Sequence, residues 1–300
     1  MNESTPFPPS PVVPATLEGS AALQFHCRKG IACWNACCSN IDISLTPYDI
    51  LRLKRRLGLA SAQFLQQYAV PYELEKDGIA GIKLKPVAGG SACQFMTPEG
   101  CSVYEDRPTA CRYYPVALLS MRKQDEYTDT HSYALVKEEH CLGHNEPRSL
   151  TIDEYRAEQG LTEYDEQGRG WRQLVLKKMS SGPTVGKPSV KSRQLFFMTC
   201  YDIDTFRAFV DSGPFNDLYD VPPAERQAMM GDTLEAEQQL LQFGYRFLRQ
   251  VLFGEESIAL HKEAAEKRRE QARAKAQQAE REAAEKLARE EDMRDEGFDD

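Results

Sequence analysis

Residues 25–38 read FHCRKGIACWNACC and contain four cysteines, spaced C-x(5)-C-x(3)-C-C at Cys27, Cys33, Cys37 and Cys38. Thiolates are soft ligands that select zinc, Cu(I) or iron–sulfur clusters. Cysteines this close in the chain can converge on one ion at little cost in loop-closure entropy. The stretch therefore predicts a metal-binding loop on irregular backbone.

The adjacent pair Cys37 and Cys38 restricts the kind of site. Consecutive side chains point to opposite faces in a strand and diverge by about 100° in a helix. The two thiols are therefore not expected to share one mononuclear tetrahedral site. Either one of them is structural or they bind different metal atoms, which favours a polynuclear cluster or two sites over one zinc ion.

A second group of cysteines follows at Cys93, Cys101, Cys111 and Cys141. Residues 92–104 (ACQFMTPEGCSVY) have the pattern of a hairpin with its turn at Thr97-Pro98-Glu99-Gly100. Such a hairpin would bring Cys93 close to Cys101.

The segment YEDRPTACRYYP, residues 104–115, surrounds the third cysteine of this group. Pro108 suits the first turn of a helix, which would place Cys111 near the positive end of that helix. Arg107 and Arg112 would add positive charge around it, although a surface ion pair is an equal alternative for each.

Two histidines, His140 and His144, flank Cys141 and are candidates to replace a cysteine as ligands. A structural role is favoured for each, because a lone histidine is a weak motif. The sequence leaves open whether Cys27, His140 or His144 ligates a metal.

The composition of the whole chain restricts its class. It has 300 residues, nine cysteines and a net charge of -9, which argues against general binding to a phosphate backbone. No stretch approaches the roughly 18 apolar residues of a membrane-spanning helix, and the first residues lack a secretory signal. We therefore expect a cytoplasmic protein without membrane association, in which clustered thiols serve metal or redox chemistry rather than disulfides.

The pattern along the chain predicts four parts. They are a disordered Pro-rich lead (1–20), a cysteine-cluster metal-binding domain (21–150), a helical region packing on it (151–260) and a charged tail (261–300). The tail is rich in Ala, Glu, Lys and Arg and has no apolar stripe, which predicts a solvated helix.

Several helix boundaries follow from capping residues. Residues 46–49 (TPYD) predict a helix start with Thr46 as N-cap, and Gly58 suits the end of that helix. Ser61 is expected to cap the next helix, which Pro71 would stop.

Farther along, residues 78–90 predict a strand, and residues 193–213 and 233–254 each predict an amphipathic helix. Cys200 lies in the first of these helices beside aromatic residues, so we expect a buried free thiol rather than a ligand. The fold class predicted is α+β and helix-rich: an irregular cysteine-rich region with a small β-hairpin, packed with helices, plus a long solvated C-terminal helix.

These elements together carry a family resemblance. The cysteine pattern of residues 25–38, the LTPYDILRLKRRLGL helix and the segment EGCSVYEDRPTACRYYP are similar to the YkgJ-like cysteine-cluster family. Members of that family are described as zinc- or iron-chelating, and the family is similar to a domain of flagellin lysine N-methylases. The resemblance implies that the metal ligands are Cys27, Cys33, Cys37, Cys38, Cys93, Cys101, Cys111 and Cys141.

Three classes of function follow. The first is a metal-binding protein with an iron–sulfur cluster, favoured over zinc, in a redox or maturation role. The second is a protein-lysine N-methyltransferase of the flagellin methylase type, although no Gly-rich strand–turn–helix loop for its cofactor is found. The third, which is not favoured, is a nucleic-acid-binding regulator with Lys54, Arg55 and Arg56 directed at phosphates. No motif identifies a protein partner.

Overall fold

The fold is described from a computed structural model, which covers residues 12–13, 15–73, 79–122, 129–180 and 188–267, and helical residues 269–271, 273–274, 277–278, 281–282 and 284. Ten α-helices precede the helical tail within these residues. They are α1 (Pro47–Leu57), α2 (Ser61–Tyr68), α3 (Thr109–Tyr113), α4 (Ile152–Glu158), α5 (Leu161–Ser180), α6 (Val190–Tyr201), α7 (Ile203–Asp211), α8 (Gly213–Leu218), α9 (Pro223–Met229) and α10 (Leu234–Phe253).

Nine short strands form four small antiparallel sheets in the same part of the chain. They are β1 (Ala22–Gln24), β2 (Ser44–Leu45), β3 (Ala69–Glu73), β4 (Ala80–Leu84), β5 (Met96–Thr97), β6 (Gly100–Cys101), β7 (Val116–Arg122), β8 (Asp129–Leu135) and β9 (Ser149–Thr151). The sheets are ordered β1-β9, β2-β4-β3, β5-β6 and β7-β8. The α+β, helix-rich class predicted from the sequence is confirmed.

Helix α1 begins and ends where its capping residues predict. The Thr46 hydroxyl accepts a hydrogen bond from the Asp49 amide, and the Asp49 carboxylate accepts one from the Thr46 amide at 2.8 Å. These two bonds satisfy amides that the first helical turn leaves without partners. Gly58 ends the helix with a φ of 66°, a conformation that costs glycine little.

Two predicted helix features are wrong, and one residue, Asp202, explains both. Ser61 is not a cap: Ala60 holds that position, and the Ser61 hydroxyl donates to the Asp202 carboxylate. The helix predicted over 193–213 is divided at Asp202, whose side chain accepts from the Thr205 amide and so caps α7. By contrast, the helix predicted over 233–254 is one element, α10.

The larger hydrophobic core joins elements from both halves of the chain. It contains Leu53 of α1, Ile82 of β4, Phe206 of α7 and Leu240 of α10, all fully buried. A smaller core lies around β1, β8 and α4 and includes Phe25, the first residue of the cysteine-rich stretch 25–38. The cysteine-rich segments therefore pack against two separate hydrophobic cores.

The two ends of the described chain differ in character. In the lead, the Leu17 amide donates to the Tyr133 carbonyl at 2.7 Å, so residues close to β8 are held by backbone bonds where the sequence suggested no fixed structure. Residues 1–11 lie outside the described residues.

The described tail residues from 262 onward are helical and mostly exposed. Among the helices of the described residues, none has the length and apolar character needed to cross a membrane.

Candidate metal centre

The cysteine loop of residues 25–38 rests on the β5-β6 hairpin through two side chains. A Cβ on Gly100 would lie 2.9 Å from Cζ2 of Trp34, so the indole can lie there only because residue 100 is glycine. The Asn35 side-chain amide donates to the Thr97 carbonyl at 2.8 Å. Asn35 also has a φ of 66°, which asparagine tolerates better than most residues, and it begins the 3₁₀ turn of residues 36–38.

Cys37 and Cys38 lie at the end of this 3₁₀ turn with their Sγ atoms 3.9 Å apart. Cys37 is exposed, whereas Cys38 is half-buried and packs against the larger core. The Cys38 carbonyl accepts a hydrogen bond from the Cys93 amide at 2.8 Å. This bond holds the loop beside the segment that carries the second group of cysteines.

The predicted hairpin is present. Strands β5 and β6 pair Met96 with Cys101 and Thr97 with Gly100, so the turn lies where the sequence placed it. The Phe95 amide donates to the Cys93 Sγ at 3.4 Å, and the Cys93 and Cys101 thiols interact electrostatically. The expectation that these two cysteines lie near each other is therefore met.

Cys111 is placed by a buried carboxylate. Asp49 accepts hydrogen bonds from the Thr109 amide at 2.8 Å and from the Thr109 hydroxyl at 2.7 Å, which fixes the start of α3 against the start of α1. Asp106, just before α3, is bound by Arg52 at 2.7 Å. Pro108 precedes α3 as its N-cap residue, one position earlier than the sequence predicted.

Cys141 lies beside the beginning of the cysteine loop. The Leu142 amide donates to the Cys33 Sγ at 3.3 Å, and the Gly143 carbonyl accepts from the His26 amide at 3.0 Å. The Phe25 ring packs so closely on Gly143 that a Cβ there would lie 2.6 Å from the ring. These contacts bring together cysteines that are far apart in the sequence.

All eight predicted cysteines lie in one region as free thiols. Cys37, Cys33 and Cys141 lie close enough to raise the pKa of Cys27, and Cys93, Cys101 and Cys37 lie close enough to raise the pKa of Cys111. Within the ranges described above, however, no three His, Cys, Asp or Glu side chains are arranged so that they could hold a metal ion. The thiols are gathered without being closed around a common point.

Most of the first half of the chain matches a known family model. Residues 26–142 match the CxxCxxCC model, described as "Putative zinc- or iron-chelating domain". Residues 26–142 thus resemble this domain, and for that resemblance they are called the CxxCxxCC domain. The match confirms the cysteine-cluster family that the sequence predicted and supports metal binding through cysteines. No curated protein and no solved structure matches the chain.

Burial keeps most thiols of the CxxCxxCC domain protonated at neutral pH. It raises the pKa of Cys27 to about 11, with further increases from Cys37, Cys33 and Cys141, and it raises the pKa of Cys93 and Cys101 as well. Cys37 differs, because the hydrogen bond from Cys38 lowers its pKa to about 7. Thiolate is the metal ligand, so a bound metal would displace protons from these groups.

The two arginines predicted near Cys111 have different roles in the CxxCxxCC domain. Arg107 lies close enough to lower the pKa of both Cys27 and Cys101, although burial raises both overall. Arg112 is buried and donates to the Arg107 and Gln159 carbonyls at 3.0 and 2.6 Å. Arg107 therefore supplies positive charge to the thiols, whereas Arg112 holds backbone segments together.

Both histidines contact groups other than the thiols, although the Nδ1 atom of His144 is buried without a hydrogen-bond partner among the described residues. His140 is exposed and lies 3.5 Å from the Glu138 carboxylate. The Nε2 atom of His144 lies 3.1 Å from the Val136 carbonyl, its ring packs on Phe25, and burial lowers its pKa. Cys200 is buried in the larger core, as expected for a structural thiol.

The basic residues of the nucleic-acid hypothesis are paired with carboxylates of the same chain. Lys54 is buried and contacts Glu237 at 2.6 Å and Asp204 at 3.0 Å. Arg55 contacts Glu237 at 3.1 Å. Arg56 similarly contacts Glu105 at 3.0 Å. None of these three side chains is directed at solvent without a carboxylate partner in the described structure.

Sequence reasoning missed three residues that build the site. They are Trp34, Asn35 and Asp49, which hold the cysteine loop on the hairpin and α3 on α1. Asn35 offered one signal, since asparagine before a turn often has a positive φ. The bonds from Thr109 to Asp49 had no signal in the sequence, because a carboxylate that caps its own helix does not indicate a second, distant partner.

Proposed function

We propose that this chain binds a metal centre through Cys27, Cys33, Cys37, Cys38, Cys93, Cys101, Cys111 and Cys141. The observation that carries the proposal is the meeting of thiols from four separate segments: the cysteine loop, the hairpin, α3 and the turn after Cys141. The match to a zinc- or iron-chelating family supports it.

The donor set fits a soft metal in kind. All eight groups are sulfur donors, which select zinc, Cu(I) or iron–sulfur clusters over hard cations. The indole N–H of Trp34 is buried and has no acceptor among the described residues, so it is available to donate to a negatively charged sulfur. Since the thiols are not yet closed around one point, binding would draw the loops together.

We favour an iron–sulfur cluster over zinc. The number of thiols, the vicinal pair Cys37 and Cys38, and the positive charge of Arg107 beside the thiols support this choice. An iron–sulfur centre would supply electron transfer, which suits a redox or maturation role. The Arg107 guanidinium would lower the energy of an anionic centre, and the α1–α3 contacts would hold Cys111 in place. A reducing cytoplasm would keep the eight thiols free.

The test is anaerobic purification of the full chain, followed by iron, sulfide and zinc analysis with absorption and EPR spectra. The proposal expects iron with equimolar sulfide. Stoichiometric zinc alone would overturn the iron–sulfur assignment while leaving metal binding intact. Absence of all three would overturn the proposed function.

A further inference from the structure

The cysteines of the CxxCxxCC domain divide into two groups by the structure that supports them. The first thiol group is Cys27, Cys33 and Cys141. Cys33 and Cys141 are joined by the hydrogen bond from the Leu142 amide to the Cys33 Sγ. Cys141 packs against the smaller core, and Phe25, two residues before Cys27, belongs to that core.

The second thiol group is Cys38, Cys93, Cys101 and Cys111. Cys93 is part of the larger core, and Cys38 and Cys101 pack against it. The backbone bond between Cys38 and Cys93 and the β5-β6 pairing tie three of these residues into one unit. Cys111 interacts most strongly with Cys93 among the thiols.

Cys37 lies between the two groups. Its Sγ lies 3.9 Å from that of Cys38, and among the thiols it raises the pKa of Cys27 the most. It also interacts with Cys93, Cys101 and Cys111. Successive residues of a 3₁₀ turn diverge by about 120°, so the Cys37 and Cys38 side chains leave the turn in different directions.

We propose that the domain holds two metal centres, one in each thiol group, with Cys37 as the fourth sulfur ligand of the first group. This inference rests on the proposed function, because it divides the ligand set assigned there. It explains why the family pattern carries adjacent cysteines: a single residue at this turn could complete only one of the groups. In this arrangement the smaller core packs against the first centre and the larger core packs against the second.

Zinc alone is the probe for the test, because it binds thiolates and has no redox chemistry of its own. The full-length reduced chain is loaded with zinc, freed of unbound metal and examined by native mass spectrometry. We expect two zinc ions per chain in the wild type and one in each of Cys141→Ser and Cys111→Ser, a twofold loss. Cys200→Ala, which changes a buried thiol of the core, should keep both ions.

Cysteine protection in the wild type provides a second measurement that does not depend on folding of the variants. Zinc is added in steps, and alkylation of each cysteine is followed by peptide mass spectrometry. Two separate protection steps, one for each thiol group, would support two centres. Three results would overturn the proposal of two centres. They are one ion per chain, protection of all eight thiols in one step, and loss of both ions from each serine variant. Binding of no zinc and no iron would instead refute the proposed function itself.

Discussion

The carbonyl oxygen of Cys38 accepts a hydrogen bond from the amide of Cys93 at 2.8 Å. This contact joins the last cysteine of the first sequence cluster to the first cysteine of the second. It uses only backbone atoms, so replacing either thiol leaves both the donor and the acceptor in place. Serine variants of these cysteines therefore test sulfur ligation more than they test the path of the chain.

We expect Cys37 to be the most reactive thiol of the metal-free chain. The hydrogen bond from Cys38 lowers its pKa to about 7, whereas partial burial and the neighbouring thiols raise the pKa of Cys27 to about 11. Thiolate is the nucleophile, and its lower basicity offsets only part of this advantage. At pH 7.5 iodoacetamide should modify Cys37 at least about tenfold faster than Cys27, measured by peptide mass spectrometry. Cys38→Ala should remove most of that difference; equal rates in the wild type would refute the prediction.

Zinc affinity should rise with pH. The pKa values of Cys27, Cys93, Cys101 and Cys111 are raised, so these thiols are protonated at neutral pH and must lose protons to become ligands. Isothermal titration calorimetry in buffers of different ionisation enthalpy should detect net proton release at pH 7. An affinity that does not change between pH 6 and pH 8 would show that these thiols do not bind the ion.

Removal of the Asp49 carboxylate should destabilise the protein. Asp49→Ala leaves the partly buried amides of Thr46 and Thr109 and the Thr109 hydroxyl without their acceptor. We expect the free energy of unfolding to fall by about 2–4 kcal/mol in urea. Asp232→Asn is the control, because that side chain is 95% exposed and should change stability little. A change in Asp49→Ala no larger than in the control would contradict this role.

Glu237 should be the main carboxylate of the contact between α1 and α10. It is fully buried and binds Lys54 at 2.6 Å, Arg207 at 2.9 Å and Arg55 at 3.1 Å. Glu237→Gln leaves buried positive charge without its counterion and should cost about 3 kcal/mol of unfolding free energy. Glu235→Gln, an exposed change on the same helix, is the matched control. Equal stability of the two variants would show that the ion cluster is not needed.

The same cluster predicts acid sensitivity. Burial alone would raise the pKa of Glu237, but Lys54 and Arg207 more than reverse this, so its pKa lies below the ordinary 4.5. The pKa of Asp204 is also lowered below 3.8, because hydrogen bonds from Ser61 and Lys54 outweigh the effect of burial. A carboxylate with a lowered folded pKa stabilises fully above its unfolded pKa and loses that contribution as pH falls through the folded value. Unfolding free energy should therefore decline below about pH 4.5, less steeply in Glu237→Gln; an identical decline would exclude Glu237 as its source.

Local signals predicted much of the fold. The Thr46 cap, the Gly58 end, the turn at residues 97–100 and helix α10 all depend on neighbours in the sequence, and all are confirmed. The division of the helix at Asp202 was missed because its cause is partly distant: the Asp202 carboxylate binds Ser61 as well as capping α7. Propensity describes one segment and contains no information about such a partner.

The candidate site shows the same limit. The family resemblance implied the set of eight thiols, and the hairpin pattern of residues 92–104 predicted the approach of Cys93 to Cys101. Neither predicted that Trp34 would rest on Gly100, because that contact requires the hairpin to be already in place. Nor did they separate Arg107, which lies near thiols, from Arg112, which binds backbone carbonyls. Both arginines lie within five residues of Cys111 in the sequence, and only the tertiary structure distinguishes their roles.

The central claim is that these cysteines together hold a metal, and metal content tests it most directly. The full-length chain and a variant with Cys38, Cys93, Cys101 and Cys111 replaced by serine are purified anaerobically, and iron and zinc are counted per chain. We predict bound metal in the wild type, retained in Cys200→Ala, and loss of at least half of it in the fourfold variant. A metal-free wild type, or a fourfold variant with undiminished metal, would contradict the account.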